Sequence, residues 1–334
     1  MAYRSGSRNL LTDVKGLRVG NAVDLRIKSG VTVILCDDPA VAGVQVLGGA
    51  PGTRETDLLE PHNSVETINA LVLSGGSAFG LDAASGVQAA LRERGVGFAV
   101  RDAVIPIVPA AILFDMQNGG DKDWGRYPPF RELGYEAVQA AGLDYAIGTA
   151  GAGVGALSAG LKGGLGSAST LLPSGITVAA MAAVNPTGSV TVGDTRHFWA
   201  APFEIGDEFG GLGLPVPFPA DAAEVKLKFR DIGPGGNTTI AVIATDAILT
   251  KAAAKRLAIA AHDGFARAIW PAHTPVDGDL VFSLATGKSG IAPDAGAATD
   301  LYAIAGATMA RAIARGVHAA TKAANDPFPV WSER

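Results

Sequence analysis

From Tyr145 to Gly193 the chain carries one charged side chain, Lys162. A stretch this long and this free of charge has to lie largely inside the fold. Gly, Pro and Ser interrupt it too often for a membrane span. Within it, Ile176 to Val184 reads as an interior strand that stops at Asn185-Pro186. Lys162 then has two readings. It is a buried amine, which is costly unless paired and whose pKa moves readily, or a surface lysine at the turn made by Gly163-Gly164. Asn185 also has two. An amide at the end of a buried strand can donate to an oxyanion, or it can close a turn.

The second informative stretch runs from Gly233 to Asp246. Gly233-Pro-Gly-Gly236 is a loop that reaches backbone angles closed to other residues. Ile240 to Ala244 is short, uncharged and β-branched, as a buried strand requires. Asn237, Thr238 and Thr239 lie between them, so a hydroxyl stands at the mouth of a core strand directly after a strainable loop. A threonine there can attack the carbonyl of the residue before it. The resulting ester, once hydrolysed, leaves a new amino terminus bearing a hydroxyl nucleophile and its own base, the α-amine. The competing reading is a Gly-Asn turn leading into an ordinary strand.

Composition narrows the classes. The chain has 334 residues, 48% apolar and 18% charged, with a net charge of -5. No basic stripe points to nucleic acid. The 44 glycines are dispersed, which reads as tight turns and close backbone packing. A single cysteine, Cys36, excludes an internal disulfide framework and a multi-cysteine metal site. With no apolar signal core at the start, a cytoplasmic protein that does not engage membranes is expected.

Other segments complete the reading. Val31–Cys36 and Ala42–Leu47 read as separate strands around Asp37-Asp38-Pro39. Ile68–Leu73 runs into Ser74-Gly75-Gly76, a turn before a helix over 81–94, where amides could face an anion or merely allow close packing. Helices are also expected over 132–141, 250–269 with Thr250 as N-cap, and 299–324. Gly151 to Ala156 fits the loose dinucleotide pattern G-x-G-x-x-A, though no acidic residue follows at ribose distance. His262 reads as packing at a solvent edge. In His273-Thr-Pro-Val-Asp-Gly-Asp279, Asp277 and Asp279 share one face if the segment is extended. They suit an amine, a divalent metal or a plain turn.

Together, Leu73-Ser-Gly-Gly-Ser-Ala-Phe-Gly-Leu-Asp82, Leu161-Lys-Gly-Gly-Leu-Gly166, Val184-Asn-Pro186, Gly236-Asn-Thr-Thr239 and Asp277-Gly-Asp279 resemble the autoprocessing L-aminopeptidase/D-esterases, β-peptidyl aminopeptidases and 6-aminohexanoate-oligomer (nylon-oligomer) hydrolases. The resemblance spans almost the whole chain. It implies an α/β fold of the N-terminal-nucleophile-hydrolase type, a layered αββα sandwich. It implies one domain, 1–334, self-cleaved between Asn237 and Thr238 into chains 1–237 and 238–334. Thr238 matches the nucleophile, Lys162 the active-site lysine, Asn185 the oxyanion asparagine, and Asp277 and Asp279 the paired acids, with Lys162 expected against one of them. Phe114 falls near a substrate-contacting position where the nylon-oligomer branch has a tyrosine. The resemblance implies hydrolysis of peptides or short oligoamides without metal or organic cofactor, in a homo-oligomer, a tetramer of processed pairs. An acyltransferase of the autoprocessing ornithine acetyltransferase type and a nucleotide-binding oxidoreductase built on Gly151–Ala156 are the alternatives.

Overall fold

The computed structural model describes residues 3–230 and 236–334; Gly233 to Gly235 of the loop before Asn237 lie outside the described residues. The strands are β1 (Leu17–Asp24), β2 (Ser29–Val46), β3 (Thr53–Arg54), β4 (Thr67–Ser74), β5 (Phe98–Val100), β6 (Ala103–Ile105), β7 (Ala110–Ile112), β8 (Leu157–Ser158), β9 (Leu161–Lys162), β10 (Gly164–Leu171), β11 (Thr177–Val184), β12 (Ile240–Thr245) and β13 (Leu280–Ala285). The helices are α1 (Ala83–Glu93), α2 (Phe130–Gln139), α3 (Lys251–Ala261), the short α4 (Asp263–Ala266) and α5 (Ala295–His318).

The expected layers are present, and one strand joins them. The hydrogen-bonded order is β10-β11-β12-β13-β2-β4-β7-β3, with β1 also on β2. Val31–Cys36 and Ala42–Leu47, expected as two strands, form the single strand β2. Its first half pairs with β1 and its second half with β13. The pairing with β4 shifts register between Leu35 and Ala40, across Asp37-Asp38-Pro39. That irregularity turns the strand without ending it, so one strand serves two sheets.

Among the described residues, three apolar cores fill the gaps between layers. Between the sheets, Leu17, Ile34 and Leu71 from one face Met181, Val242 and Phe282 from the other. On the outer face of the second sheet, Ala180, Ile243 and Val281 pack with Leu257, Met309 and Ile313 of α3 and α5. On the outer face of the first, Val33 and Val72 pack with Val87 and Leu133 of α1 and α2. Thr250 caps α3 through a hydrogen bond from the Ala253 N–H, as expected. The uncharged stretch is interior: β11 is buried along its whole length.

The dispersed glycines do serve close approach. A Cβ on Gly166 of β10 would lie 1.8 Å from the Ala312 carbonyl oxygen of α5, and one on Gly164 would lie 2.2 Å from that of Gly316. The dinucleotide-like segment is likewise packing. Gly151–Gly153 is a buried 3-10 turn rather than the head of a long helix, and a Cβ on Gly153 would lie 2.0 Å from the Leu165 nitrogen. The turn after β4 offers no free anion site at Gly76, whose N–H donates to Asp115 Oδ1 at 2.8 Å. Among the described residues no helix is long and apolar enough to cross a membrane.

Gly166→Ala should therefore cost stability, about 1–3 kcal/mol as for other overpacked interiors. A urea unfolding curve with an unchanged midpoint would show that α5 can simply move away.

Candidate active site

The topology gathers the site. β11 runs antiparallel to β12 and β13 runs parallel to it, with Ala183 opposite Ile240 and Ile240 opposite Leu280. The residues just after β11 and just before β12 and β13 must then meet at one end of the sheet. Those residues are Asn185, Asn237–Thr239 and Asp277–Asp279. β10 is antiparallel to β11, with Gly164 opposite Val184, so Lys162-Gly163 enters at the same end.

At the centre is the Asn237–Thr238 peptide. The Thr238 hydroxyl donates to the Asn237 carbonyl oxygen in a very short contact. The Gly278 N–H donates to the same oxygen at 2.9 Å, and the Thr238 N–H donates to the Asn185 carbonyl at 2.9 Å. A side chain at position 278 is excluded, since its Cβ would lie 2.6 Å from Thr238 Oγ1 and 2.7 Å from the Ala50 carbonyl. Thr238 is buried at 3% exposure, so water is largely kept from the hydroxyl.

The two acids lie beside this peptide, both fully buried. Asp277 Oδ1 accepts from the Thr187 N–H at 3.0 Å, and Oδ2 accepts from the Thr274 hydroxyl at 2.5 Å and its N–H at 3.2 Å. Burial, reinforced by the charge of Asp279, raises the Asp277 pKa above its usual value. Asp279 Oδ1 accepts from the Thr239 N–H at 2.8 Å. Its Oδ2 accepts from the His273 N–H and contacts His273 Nδ1, both at 3.0 Å.

Lys162 is buried, as one reading held, but the expected partner is corrected. Its Nζ lies 2.7 Å from Asp326 Oδ2, and Lys28 Nζ lies 2.5 Å from Oδ1 of the same carboxylate. The recorded acid partner of Lys162 is thus neither Asp277 nor Asp279. Burial pushes the Asp326 pKa up, yet hydrogen bonds from Lys162 and Lys28 bring it below the usual value.

The lysine that the structure places on Asn185 is Lys228. Its Nζ donates to the Leu157 carbonyl at 2.9 Å, to Asn185 Oδ1 at 2.9 Å and to the Asn185 carbonyl at 3.3 Å. Three acceptors match the three hydrogens of an ammonium. Burial pulls its pKa down to about 7 against the fields of Asp277 and Asp115, so its charge changes near neutrality. The sequence does not single it out. Lys226, Lys228 and Arg230 alternate in a charged segment that reads as a solvated face.

Asn185 lies at this end of the sheet, directly after β11, where the sequence places it. Its Oδ1 accepts from the Leu157 N–H at 2.9 Å as well as from Lys228, and its Nδ2 donates to the Phe114 carbonyl at 2.9 Å. Its side chain fixes the loop, and the donors on the Asn237 carbonyl oxygen are the Thr238 hydroxyl and the Gly278 N–H. Phe114 does border the site: a Cβ on Gly236 would lie 2.2 Å from its ring. Phe114, Asn185, Lys228, Phe229 and Gly236 enclose a cavity of about 10 Å³, which has room for about one water. His262 is corrected from a solvent edge to the interior, 3% exposed. Among the described residues no group of three or more His, Cys, Asp or Glu side chains could hold a metal ion.

The layered arrangement of helices about a large central sheet is the fold of the N-terminal-nucleophile hydrolases. The L-aminopeptidase D-Ala-esterase/amidase of Ochrobactrum anthropi, described as a variant of that fold, superposes with a TM-score of 0.71 at 21% identity, over 98% of this chain and 91% of that one. A Burkholderia sp. beta-aminopeptidase superposes with a TM-score of 0.74 at 21% identity, over 98% of this chain and 92% of that one. More narrowly, the chain belongs to peptidase family S58, whose model matches residues 9–326. It is 46% identical over 323 residues to an uncharacterized aminopeptidase of Mycobacterium tuberculosis (strain ATCC 25618 / H37Rv), covering 92% of each chain. It is 29% identical over 293 residues to the 6-aminohexanoate-oligomer endohydrolase of Kocuria sp. (strain KY2), covering 84% of this chain and 76% of that one. These relationships make it a peptidase or amidase.

The lysine pair on Asp326 is testable. Asp326→Asn leaves two buried ammonium groups without their counter-charge and should cost about 3–5 kcal/mol in chemical denaturation. Because the folded pKa is depressed, the wild-type contribution is present above about pH 4, the unfolded value, and fades as pH falls through the folded one. A variant as stable as wild type at pH 7 would show that water reaches the lysines.

Proposed function

We propose that the chain is a self-processing amide hydrolase in which Thr238 first releases its own amine and then serves as the nucleophile. The observation that carries this is the pair of donors on one carbonyl oxygen, the Thr238 hydroxyl and the Gly278 N–H at 2.9 Å. In the first reaction Oγ1 attacks the Asn237 carbonyl carbon and gives up its proton to a base. Negative charge collects on the oxygen beside the Gly278 N–H. Collapse breaks the C–N bond, the departing nitrogen takes a proton, and an ester remains. Water cleaves that ester, leaving chains 1–237 and 238–334 within one folded domain.

In the second reaction the freed α-amine, with an unperturbed pKa of about 7.7–8.0, takes the hydroxyl proton as Oγ1 attacks a substrate amide. The leaving amine departs protonated, and water releases the acid from the acyl-enzyme. Asp277 and Asp279 hold the strand mouths around the nucleophile in register. No step calls on a metal or an organic cofactor.

The substrate class follows from what is left unengaged. A strict exopeptidase needs a spare carboxylate for the substrate's charged amine, and Asp115 and Asp121, on the segment after Phe114, are both engaged. Asp115 is buried, accepting from Ser29 at 2.6 Å and Gly76 at 2.8 Å. Asp121 is paired with Arg26 at 2.8 Å. The reading is therefore loose recognition of small amides, peptides with a small or aliphatic acyl residue, and short oligoamides. Relatives named as an aminopeptidase and as a 6-aminohexanoate-oligomer endohydrolase support that range.

Two experiments test this. Purified wild type should give two bands on a denaturing gel, the smaller beginning Thr-Thr-Ile, while Thr238→Ala should stay one 33.8 kDa chain. Cleavage after Asn237 in Thr238→Ala would overturn self-processing. For specificity, an aliphatic amino-acid anilide and its N-acetylated form should be hydrolysed at comparable rates. A loss of about 10³-fold or more on acetylation would make this a dedicated aminopeptidase, on the scale of rejection by sites built around one polar group.

A further inference from the structure

Two histidines form a hydrogen-bonded line that the chemistry above does not use. His262, 3% exposed at the end of α3, places Nε2 2.9 Å from the Gln45 carbonyl oxygen of β2 and Nδ1 3.2 Å from His273 Nε2. His273 in turn places Nδ1 3.0 Å from Asp279 Oδ2. Asp279 Oδ1 accepts from Thr239, the residue after the nucleophile.

The proton positions along this line are constrained. A carbonyl only accepts, so His262 Nε2 carries a hydrogen. Burial lowers the His262 pKa to about 4, so the ring is neutral at pH 7 and its Nδ1 is a lone pair. His273 must then donate from Nε2. At its other nitrogen it faces a carboxylate that already accepts main-chain N–H groups of Thr239 and His273, one on each oxygen. That leaves Asp279 the acceptor's part, so His273 donates from both nitrogens and is an imidazolium. The ring is also held by Phe265, 5.2 Å away between centroids. The titratable groups recorded against the line are Asp279, His262 and, through Asp279, Asp277.

Resting on the hydrolase reading, we propose that His273 is a positioning residue: its protonated ring holds Asp279 ionised and aimed at the Thr239 N–H, and His262 holds that ring in place. The geometry explains how Asp279 can stay charged beside Asp277 when Lys162 is engaged with Asp326. Loss of the His273 proton would leave two buried carboxylates without this counter-charge. They would hold the Thr238 amine protonated and unable to act as base.

His273 sits at φ +56°, a region in which Asn is well tolerated, so His273→Asn is a fair probe. It keeps a donor near the Nδ1 position and cannot ionise there. We expect kcat on the anilide to drop about 10²-fold, the scale of a misplaced catalytic group. KM should change by less than about twofold, as for a group acting on the transition state. Nitrogen-15 spectra of wild-type histidines at pH 7 should show His273 protonated on both nitrogens and His262 on Nε2 alone. Wild-type kcat in His273→Asn, or a singly protonated His273 ring, would overturn the proposal. If wild type hydrolyses no amide at all, the hydrolase reading and the positioning role fall together. The ring spectra still decide where the proton lies.

Discussion

The buried mouth of β12 is the constraint from which the site follows. A strand buried on both faces must satisfy every main-chain polar group, and at its first residues the ladder runs out of regular partners. The protein supplies them from the adjoining strand ends. Thr238 donates to the Asn185 carbonyl, Gly278 donates to the Asn237 carbonyl, and Thr239 donates to the carboxylate of Asp279. Asp277 does the same for the Thr187 N–H. The acids to which the proposed chemistry gives a role are thus also the acceptors that close the end of the sheet. Two carboxylates can lie fully buried here because each is surrounded by donors.

The charges around this end are segregated rather than shared. Lys28 and Lys162 take Asp326, from the segment after α5. Lys228 takes the carbonyl and amide oxygens of Asn185. Asp279 faces His273. Each arrangement answers the same cost, that of an ionised group away from water. Each also ties a late or connecting segment to the sheet. The wider fold works alike: β2 shifts register across Asp37-Asp38-Pro39 and pairs with β1, β4 and β13.

Much of this was legible where the physics is local. Ile240–Ala244 and Ile176–Val184 read as buried strands from their run of apolar residues, and Thr250 read as a cap from its place before a helical stripe. What stayed hidden depends on distant partners. Nothing near Lys162 announces Asp326 at the far end of the chain. Lys228 shares its alternation with the exposed Arg230. His262 and His273 lie on separate elements and meet only when α3 packs over β2. Asn185 was placed correctly at a strand end, but the direction of its polar atoms depends on Leu157, Lys228 and Phe114 together. The dispersed glycines gave close packing in general terms, while Gly278 was legible only as the spacer between two acids.

Gly278 ties the two proposed reactions together. Its N–H is aimed at the Asn237 carbonyl oxygen, and its missing Cβ makes room for the Thr238 hydroxyl. On the proposed mechanism, cleavage removes that carbonyl from its covalent tie to Thr238 without disturbing the Asp277–Asp279 segment that holds the donor. The same N–H is then available to the carbonyl oxygen of a substrate amide at the same distance from the same hydroxyl. Self-cleavage and turnover would use one preorganised donor and one nucleophile, and they differ in the base. The first must find its base among side chains already present, whereas the second has the α-amine that the first created. The burial that makes the uncut site too small for substrate is, on this account, the condition that favours attack on the chain's own peptide first.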